Sequence, residues 1–521
     1  MAGLDIFWLN ELSASDADRV GEKAAYLAEL NNKKLPIPNA FVIDAEFCNQ
    51  IISKFRSQID ELLRSVLDLN SAYAASSKIR ELLGDISFTE DVKNILLSHY
   101  KKVNDHPDHE NMSSLTRQLV TSGRDLPFLA VRPSPTKSFP FQFKSILNVY
   151  GSDMLFDAIK KLIISIFSPQ AIYFRYKNNI QYSDFSVPII VQKMVYAVKS
   201  GDVFTLNPIT NQKTELYFQA IWGINSNLFD NPSSIIFDRQ SGVILDSKEI
   251  DQEQYYTKNG QFGELLLEPL PQHIAQTSIL SENELKVLTN LANRIEQIMN
   301  FPQHIEWVID RSSVQIVQTQ PLTRIFKKPL TSTGNGILIN SASSSGKAVV
   351  IDGNDDLGKV GTDSILITNI ANRNIFPYLV QSSGFVCKVN GLTSPAVQFC
   401  KDFSIPAVFQ AKSFESISDG QEIQFTGSSC DVIQSTSSPQ SIEDYAQPVA
   451  SYSTEVPISD LDNVKEQFEQ LERALIEQVS KEAQKRAAGE HTSEADFRKS
   501  QLISELEWKV RNLRKKLDEL V

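Results

Sequence analysis

The 521-residue sequence is short of cysteine and glycine, and over a long stretch it has no histidine at all. Its four cysteines, Cys48, Cys387, Cys400 and Cys430, form no CxxC pair. That excludes a disulfide framework and a zinc knuckle and leaves them as buried apolar fillers. Glycine accounts for 21 residues, about 4% against the roughly 7% of average usage. An enzyme built around glycine-rich phosphate loops would carry more. The six histidines are His99, His106, His109, His273, His304 and His491, so residues 305–490 offer no imidazole as nucleophile, base or ligand. The run His106-Pro107-Asp108-His109-Glu110 has metal-like spacing, but it stands in a polar stretch without a second ligand pair and reads as a solvated loop, not a metal site. Positive charge is also in deficit: 51 Lys and Arg face 63 Asp and Glu, a formal charge of −12 that disfavours nucleic acid as a partner. No basic segment leads into an apolar one at the N-terminus, and no run of about 18 apolar residues occurs. The sequence therefore predicts no secretory signal, no transmembrane segment and a cytoplasmic location.

What is present is the composition of a globular protein, 41% hydrophobic and 22% charged, long enough for about two to four domains. Helical spacing behind a Ser13/Ser15/Asp16 start predicts a helix over 16–30, followed by an extended run at Ala40-Phe41-Val42-Ile43. Residues 50–120 read as amphipathic packing helices. From 128 to 325 short apolar strands (FLAVR, VPIIVQKMV, ELYFQAIWG, IIFDR, IEWVID, VQIVQTQ) alternate with turns, with helices near 153–168 and 281–300. Lys327-Lys328-Pro329 and the polar stretch after it mark a boundary. Residues 333–436 form a second mixed block, and 437–459 read as a Ser/Pro-rich linker. Residues 460–521 carry apolar steps at Val464, Phe468, Leu471, Leu475 and Val479 and again at Leu502, Leu506, Leu513, Leu517 and Leu520. They predict a helical hairpin or coiled coil that binds a protein partner or self-associates. The expected fold class is α/β (α+β).

Several blocks, in order, resemble the phosphoenolpyruvate synthase and pyruvate phosphate dikinase family. They are Val20-Gly21-Glu22-Lys23-Ala24-Ala25-Tyr26-Leu27 with Leu35-Pro36-Ile37-Pro38, then Ala130-Val131-Arg132-Pro133-Ser134, then Ser138-Phe139-Pro140-Phe141-Gln142. Val191-Gln192-Lys193-Met194-Val195, Ser200-Gly201-Asp202-Val203-Phe204-Thr205, and Ile305-Glu306-Trp307 with Val317-Gln318-Thr319-Gln320-Pro321 complete the series. The resemblance implies an ATP-grasp-like nucleotide-binding region over 1–326 and a swivelling phosphohistidine-type domain over 333–436. ATP, with magnesium accompanying it, is the implied cofactor. The matching site residues are Lys23, Arg132 and Arg175 for phosphate, and Glu306 and Gln318 at the metal end, with Glu306 the metal ligand if magnesium binds.

The same resemblance exposes losses. In the run Asn390-Gly391-Leu392-Thr393-Ser394-Pro395-Ala396-Val397 the family's phosphate-carrying histidine is Pro395, which has no nucleophilic nitrogen. Family glycines are replaced by Glu22, Ala40, Phe141, Asn225, Asn390 and Ser404, and Phe141 is expected to obstruct a phosphate loop. The family's acid two positions before Glu306 is His304, read as a satisfied strand histidine, and the arginine two positions after Gln318 is Gln320. Only 85 residues follow 436, too few for the family's pyruvate-binding barrel. The expectation is a catalytically degenerate relative, a pseudoenzyme with no catalytic residue, that acts as a binding, regulatory or assembly protein with a residual nucleotide pocket. The alternative is an ATP-dependent kinase or phosphotransferase that passes phosphate directly to an acceptor without a phosphohistidine.

Overall fold

The computed structural model describes residues 4–425, except 85, 105–125, 137–144, 182–185, 225–231, 259–264, 276, 312, 323–330, 334–335, 341–343, 352–353, 372–374, 390, 393 and 412–416. The expected linker and helical hairpin, Cys430, the His106–Glu110 run, Phe141, Asn225 and Asn390 lie outside the described residues. All described residues fall in one unit, Met1–Thr436.

The first sheet is built from β1 (Ile6–Trp8), β2 (Ala40–Ile43), β3 (Leu129–Pro133), β4 (Ile146–Val149) and β5 (Ile189–Lys193) in the order β1-β2-β5-β3-β4. The expected helix over 16–30 is two helices, α1 (Ala17–Val20) and α2 (Glu22–Asn32), because Gly21 takes φ +76° and breaks the ladder. One face of this sheet carries Phe41, Ile43, Leu129, Val131, Ile189 and Val191. It packs against α3 (Ala45–Ser53), α4 (Arg56–Arg64), α5 (Leu69–Gly84), α6 (Glu90–Lys102), α7 (Ser152–Ser165) and α8 (Pro169–Lys177). The helix expected near 153–168 is α7 alone, and α8 is a further helix that the sequence pattern does not predict. They are separate because Ser168 caps a new start, accepting from Ala171 N, with Pro169 in the first turn.

The second sheet contains β6 (Lys199–Phe204), β7 (Glu215–Trp222), β8 (Ser233–Asp238) and β9 (Val243–Lys248). After the hairpin β10 (Gln254–Lys258) and β11 (Leu265–Pro269), the chain adds α9 (Glu282–Met299), β12 (Gln303–Ile309) and β13 (Val314–Pro321), giving the order β13-β12-β6-β7-β8-β9. Alternation along these strands puts Val203, Phe218, Ile305 and Trp307 on the face packed against α2 and α9. The opposite face carries a polar set described below.

The third sheet is β14 (Thr331–Thr333), β15 (Gly336–Leu338), β16 (Ser344–Val350), β17 (Ser364–Ile370), β18 (Gly384–Val389), β19 (Ala407–Phe409) and β20 (Glu422–Phe425), in the order β14-β15-β19-β18-β17-β16-β20. Strands β16 to β19 are mutually parallel, and α10 (Pro395–Asp402) crosses between β18 and β19. Cys48, Cys387 and Cys400 are buried. The protein is mixed α/β, and no helix among the described residues is long and apolar enough to cross a membrane.

Candidate functional site

Gly21 decides where the first candidate goes. A Cβ on Gly21 would stand 1.7 Å from the Ser134 carbonyl oxygen, so only glycine allows this approach of α2 to the end of β3. The Ala24 amide then donates to Ser134 Oγ at 3.0 Å. This clamp brings Lys23, in the first turn of α2, beside Arg132 of β3. Arg132 Nη1 donates to Glu306 Oε2 at 3.3 Å, joining the five-stranded sheet to the six-stranded one. Burial pushes the Lys23 ammonium below the ordinary lysine value; the Glu306 carboxylate opposes that shift and the Arg132 charge adds to it. Lys23, Arg132 and Glu306 therefore form one charged cluster between the sheets. Two cations around one carboxylate leave it able to receive an anion such as a polyphosphate.

Register extends the site from Glu306. Directly opposite it are Gln318 on β13 and Asp202 on β6, and opposite Asp202 is Gln219 on β7. These four polar side chains make a row across four adjacent strands. One step along, His304 is 3% exposed and stacks on Phe204, with centroids 4.8 Å apart. The Gln320 amide donates to His304 Nδ1 at 3.1 Å, so Nε2 carries the ring proton and donates to Asp202 Oδ1 at 2.7 Å. His304 is thus a hydrogen-bonded strand histidine. Sequence reasoning missed Asp202 and Gln219 as site residues, because only the pairing of β6, β7 and β12 lines them up with Glu306.

Arg175 does not join the cluster. It lies on α8, on the helical side of the five-stranded sheet, where its Nε donates to Ala171 O at 3.1 Å and its Nη2 to Ile166 O at 2.7 Å beyond the end of α7. Burial there lowers its value to about 9. Arg132 extends from the opposite face, the one that carries Ala40, Val42 and Ile190. Pro395 occupies the first turn of α10, whose cap is Ser394, accepting from Val397 N at 3.4 Å. Two buried donors near the cluster's side of the sheet, Arg132 Nε and Gln192 Nε2, have no protein hydrogen-bond partner among the described residues. Gln192 pairs in register with Ala40 and Ala130, on the face that carries Arg132. A ligand rich in acceptors would satisfy both.

Residues 17–337 match the family described as pyruvate phosphate dikinase, AMP/ATP-binding domain, and residues 360–429 match the PEP-utilising enzyme, mobile domain. The probable phosphoenolpyruvate synthase of Archaeoglobus fulgidus is 27% identical over 450 residues, covering 81% of this chain and 57% of that protein. That of Methanocaldococcus jannaschii is 28% identical over 407 residues, covering 74% of this chain and 33% of its own length. The phosphoenolpyruvate synthase of Escherichia coli is 25% identical over 454 residues, covering 80% and 56%. The chain thus spans about a third to about half of these relatives. Among solved structures, the D-alanine-D-alanine ligase from Helicobacter pylori aligns with 48% of this chain and 53% of its own at 12% identity, with a TM-score of 0.20, too low to bear on the argument.

Proposed function

The chain belongs to the pyruvate phosphate dikinase AMP/ATP-binding family, and on that premise we propose that it binds ATP between the five- and six-stranded sheets without relaying phosphate through a histidine. In this reading it is a binding or regulatory relative of phosphoenolpyruvate synthase. Residues 1–326 are its nucleotide region, 333–436 its swivelling-type domain, and 460–521 the segment that recruits a partner or a second copy.

The observation that carries the proposal is the pairing of what is kept with what is replaced. Lys23, Arg132 and Glu306 converge, with Arg132 bonded to Glu306, as a polyphosphate site requires. At the carrier position, Pro395 opens a helix and offers no nitrogen for phosphorylation. Magnesium fits the donor set as a passenger of the nucleotide, because Glu306 and Gln318 supply hard oxygens side by side. Among the described residues no group of three or more His, Cys, Asp or Glu could hold an ion by itself, so phosphate oxygens would complete its shell. When bound, the ion supplies neutralisation of phosphate charge; Arg132 and Lys23 orient the phosphates, and Gln192 offers an amide donor to another part of the ligand.

Thermal unfolding with and without ATP and Mg²⁺ tests the binding. At 100 times the dissociation constant, ATP stabilises the native state by about 2.7 kcal/mol, and Arg132→Ala abolishes the shift. Incubation with radiolabelled ATP yields no acid-labile phosphoprotein and no AMP above background. Robust conversion of ATP to AMP, lost on Lys23→Ala, refutes the proposal. A phosphorylated acceptor recovered from cell extract supports instead direct transfer to an acceptor, the reading that the retained Lys23–Arg132–Glu306 cluster also permits.

A further inference from the structure

The loop that would carry phosphate in the related enzymes is tied down here. Leu392, in the run that aligns with the family's histidine loop, is 1% exposed. It shares an apolar cluster with Phe204 and Tyr217 of the six-stranded sheet, Leu322 beyond β13, and Ile337 of β15. Its neighbour Gly391 lies so near the nucleotide region that a Cβ there would come within 3.0 Å of Pro232 Cδ and 3.3 Å of Gln219 Nε2. At the far end of α10, Phe403 stacks on Tyr173 of α8 (centroids 6.1 Å, 15° between planes) and meets Phe174 edge-on at 5.9 Å. Phe403 packs at once against the core of the third sheet and the helical core of the first. One helix is therefore anchored at its start to the six-stranded sheet and at its end to the helical layer of the five-stranded sheet.

A carrier that must travel needs an interface that releases readily, and two apolar anchors on opposite parts of the nucleotide region work against release. The first anchor also bears on the site. Gln219 is two strands from Glu306, roughly 10 Å at the usual strand spacing, and Gly391 covers it. We propose that the domain formed by 333–436 does not swivel: Leu392 and Phe403 hold it docked, and Gly391 with Leu392 is a fixed wall at the Gln219 end of the polar row. The inference rests on reading this domain as the swivelling type, and it does not require that nucleotide bind.

Spin labels test it directly. They are placed through Val243→Cys, on exposed edge strand β9, and Glu422→Cys, on exposed β20, with Cys430→Ser removing one native thiol. Distances come from double electron-electron resonance on the otherwise full chain. The expected result is one narrow distribution, unchanged by ATP, that broadens in Leu392→Asp, in Phe403→Ser or in both. Leu392→Ala, which only shortens the anchor, keeps the comparison readable should the buried charge prevent folding. A broad or ATP-shifted distribution in the parent protein overturns the proposal, as does a narrow one that survives all three substitutions. Absence of ATP-dependent stabilisation would refute the proposed function while leaving this distance result to be judged separately.

Discussion

Gly21→Ala is the sharpest perturbation the site offers, because its cost can be built from geometry. Gly21 has φ +76° and ψ 156°, a region that is nearly glycine-only and costs an L-residue about 1–3 kcal/mol. The new Cβ would also stand 1.7 Å from Ser134 O and 2.5 Å from Ser134 C, backbone atoms that no rotamer change can remove. Either β3 or the first turn of α2 must move. Either movement breaks the bond from Ala24 N to Ser134 Oγ and leaves a buried donor unpaired, at about 1–3 kcal/mol. The total is roughly 2–6 kcal/mol, and Lys23 is displaced from Arg132 and Glu306. Gly151→Ala is the internal control: Gly151 has φ +82° but nothing within 4 Å of its added Cβ, so it bears the backbone cost alone. Urea unfolding of both variants against the parent isolates the steric part as the difference between them. If Gly21→Ala unfolds within about 0.5 kcal/mol of Gly151→Ala, the claim that this glycine sets the position of Lys23 is wrong.

Two further predictions follow from groups away from the cluster. Lys199 donates to both carboxylate oxygens of Glu284 at 2.9 and 2.8 Å, and Glu284 also accepts from Ser281 at the start of α9. Burial alone would raise the Glu284 carboxyl, but the Lys199 and Ser281 hydrogen bonds and the Lys199 charge together hold it below the ordinary range. A depressed native value adds stability that is full above the ordinary glutamate value and is lost as pH falls through the native one. Glu284→Gln is therefore clearly less stable than the parent at pH 7, and the gap in melting temperature narrows steadily below about pH 4; a gap independent of pH would contradict this. Ser404 holds φ +55° at a position where the family resemblance implies glycine. Ser404→Gly relieves about 1–2 kcal/mol of left-handed strain and adds about 0.5–1 kcal/mol of chain entropy cost. It raises stability by about 0.5–1 kcal/mol in urea unfolding, and any loss would refute the strain argument.

The sequence made much of the fold legible because apolar period and turn residues carry that information locally. The strands containing FLAVR, VPIIVQKMV, ELYFQAIWG, IEWVID and VQIVQTQ are all present as β3, β5, β7, β12 and β13. What stayed hidden depends on partners distant in sequence. Helical spacing ran through Gly21 because the force that breaks the helix is the approach of Ser134, 113 residues away. Arg175 looked like a phosphate contact because its charge was visible and its neighbours were not; the carbonyls of Ile166 and Ala171 take its guanidinium. Asp202 and Leu392 were plain residues inside aligned blocks until register and tertiary packing gave one a place beside Glu306 and the other a place in an apolar cluster.

Register also changes how the substitutions should be weighed. The family resemblance implies an acid and an arginine where this chain has His304 and Gln320, and taken one at a time they read as two losses. They are directly opposite each other on β12 and β13 and are hydrogen-bonded at 3.1 Å. An acid and an arginine at these facing positions would make an ion pair, and removing one member of a buried pair costs about 3–5 kcal/mol because the other charge is stranded. Replacing both with a neutral imidazole and an amide keeps the strands joined and the polar groups satisfied. The two substitutions are thus one physical change, and His304 and Gln320 stay hydrogen-bonded to each other. His304 Nε2 then donates a hydrogen bond to Asp202 Oδ1, a carboxylate that lies one strand from Glu306 in the same polar row. At these two positions the substitutions leave a hydrogen-bonded pair, not a stranded charge, so their effect on the site is to be judged together: a His304→Asp variant alone is expected to be less stable than one that also carries Gln320→Arg, and equal stability of the two in urea unfolding would refute the coupling.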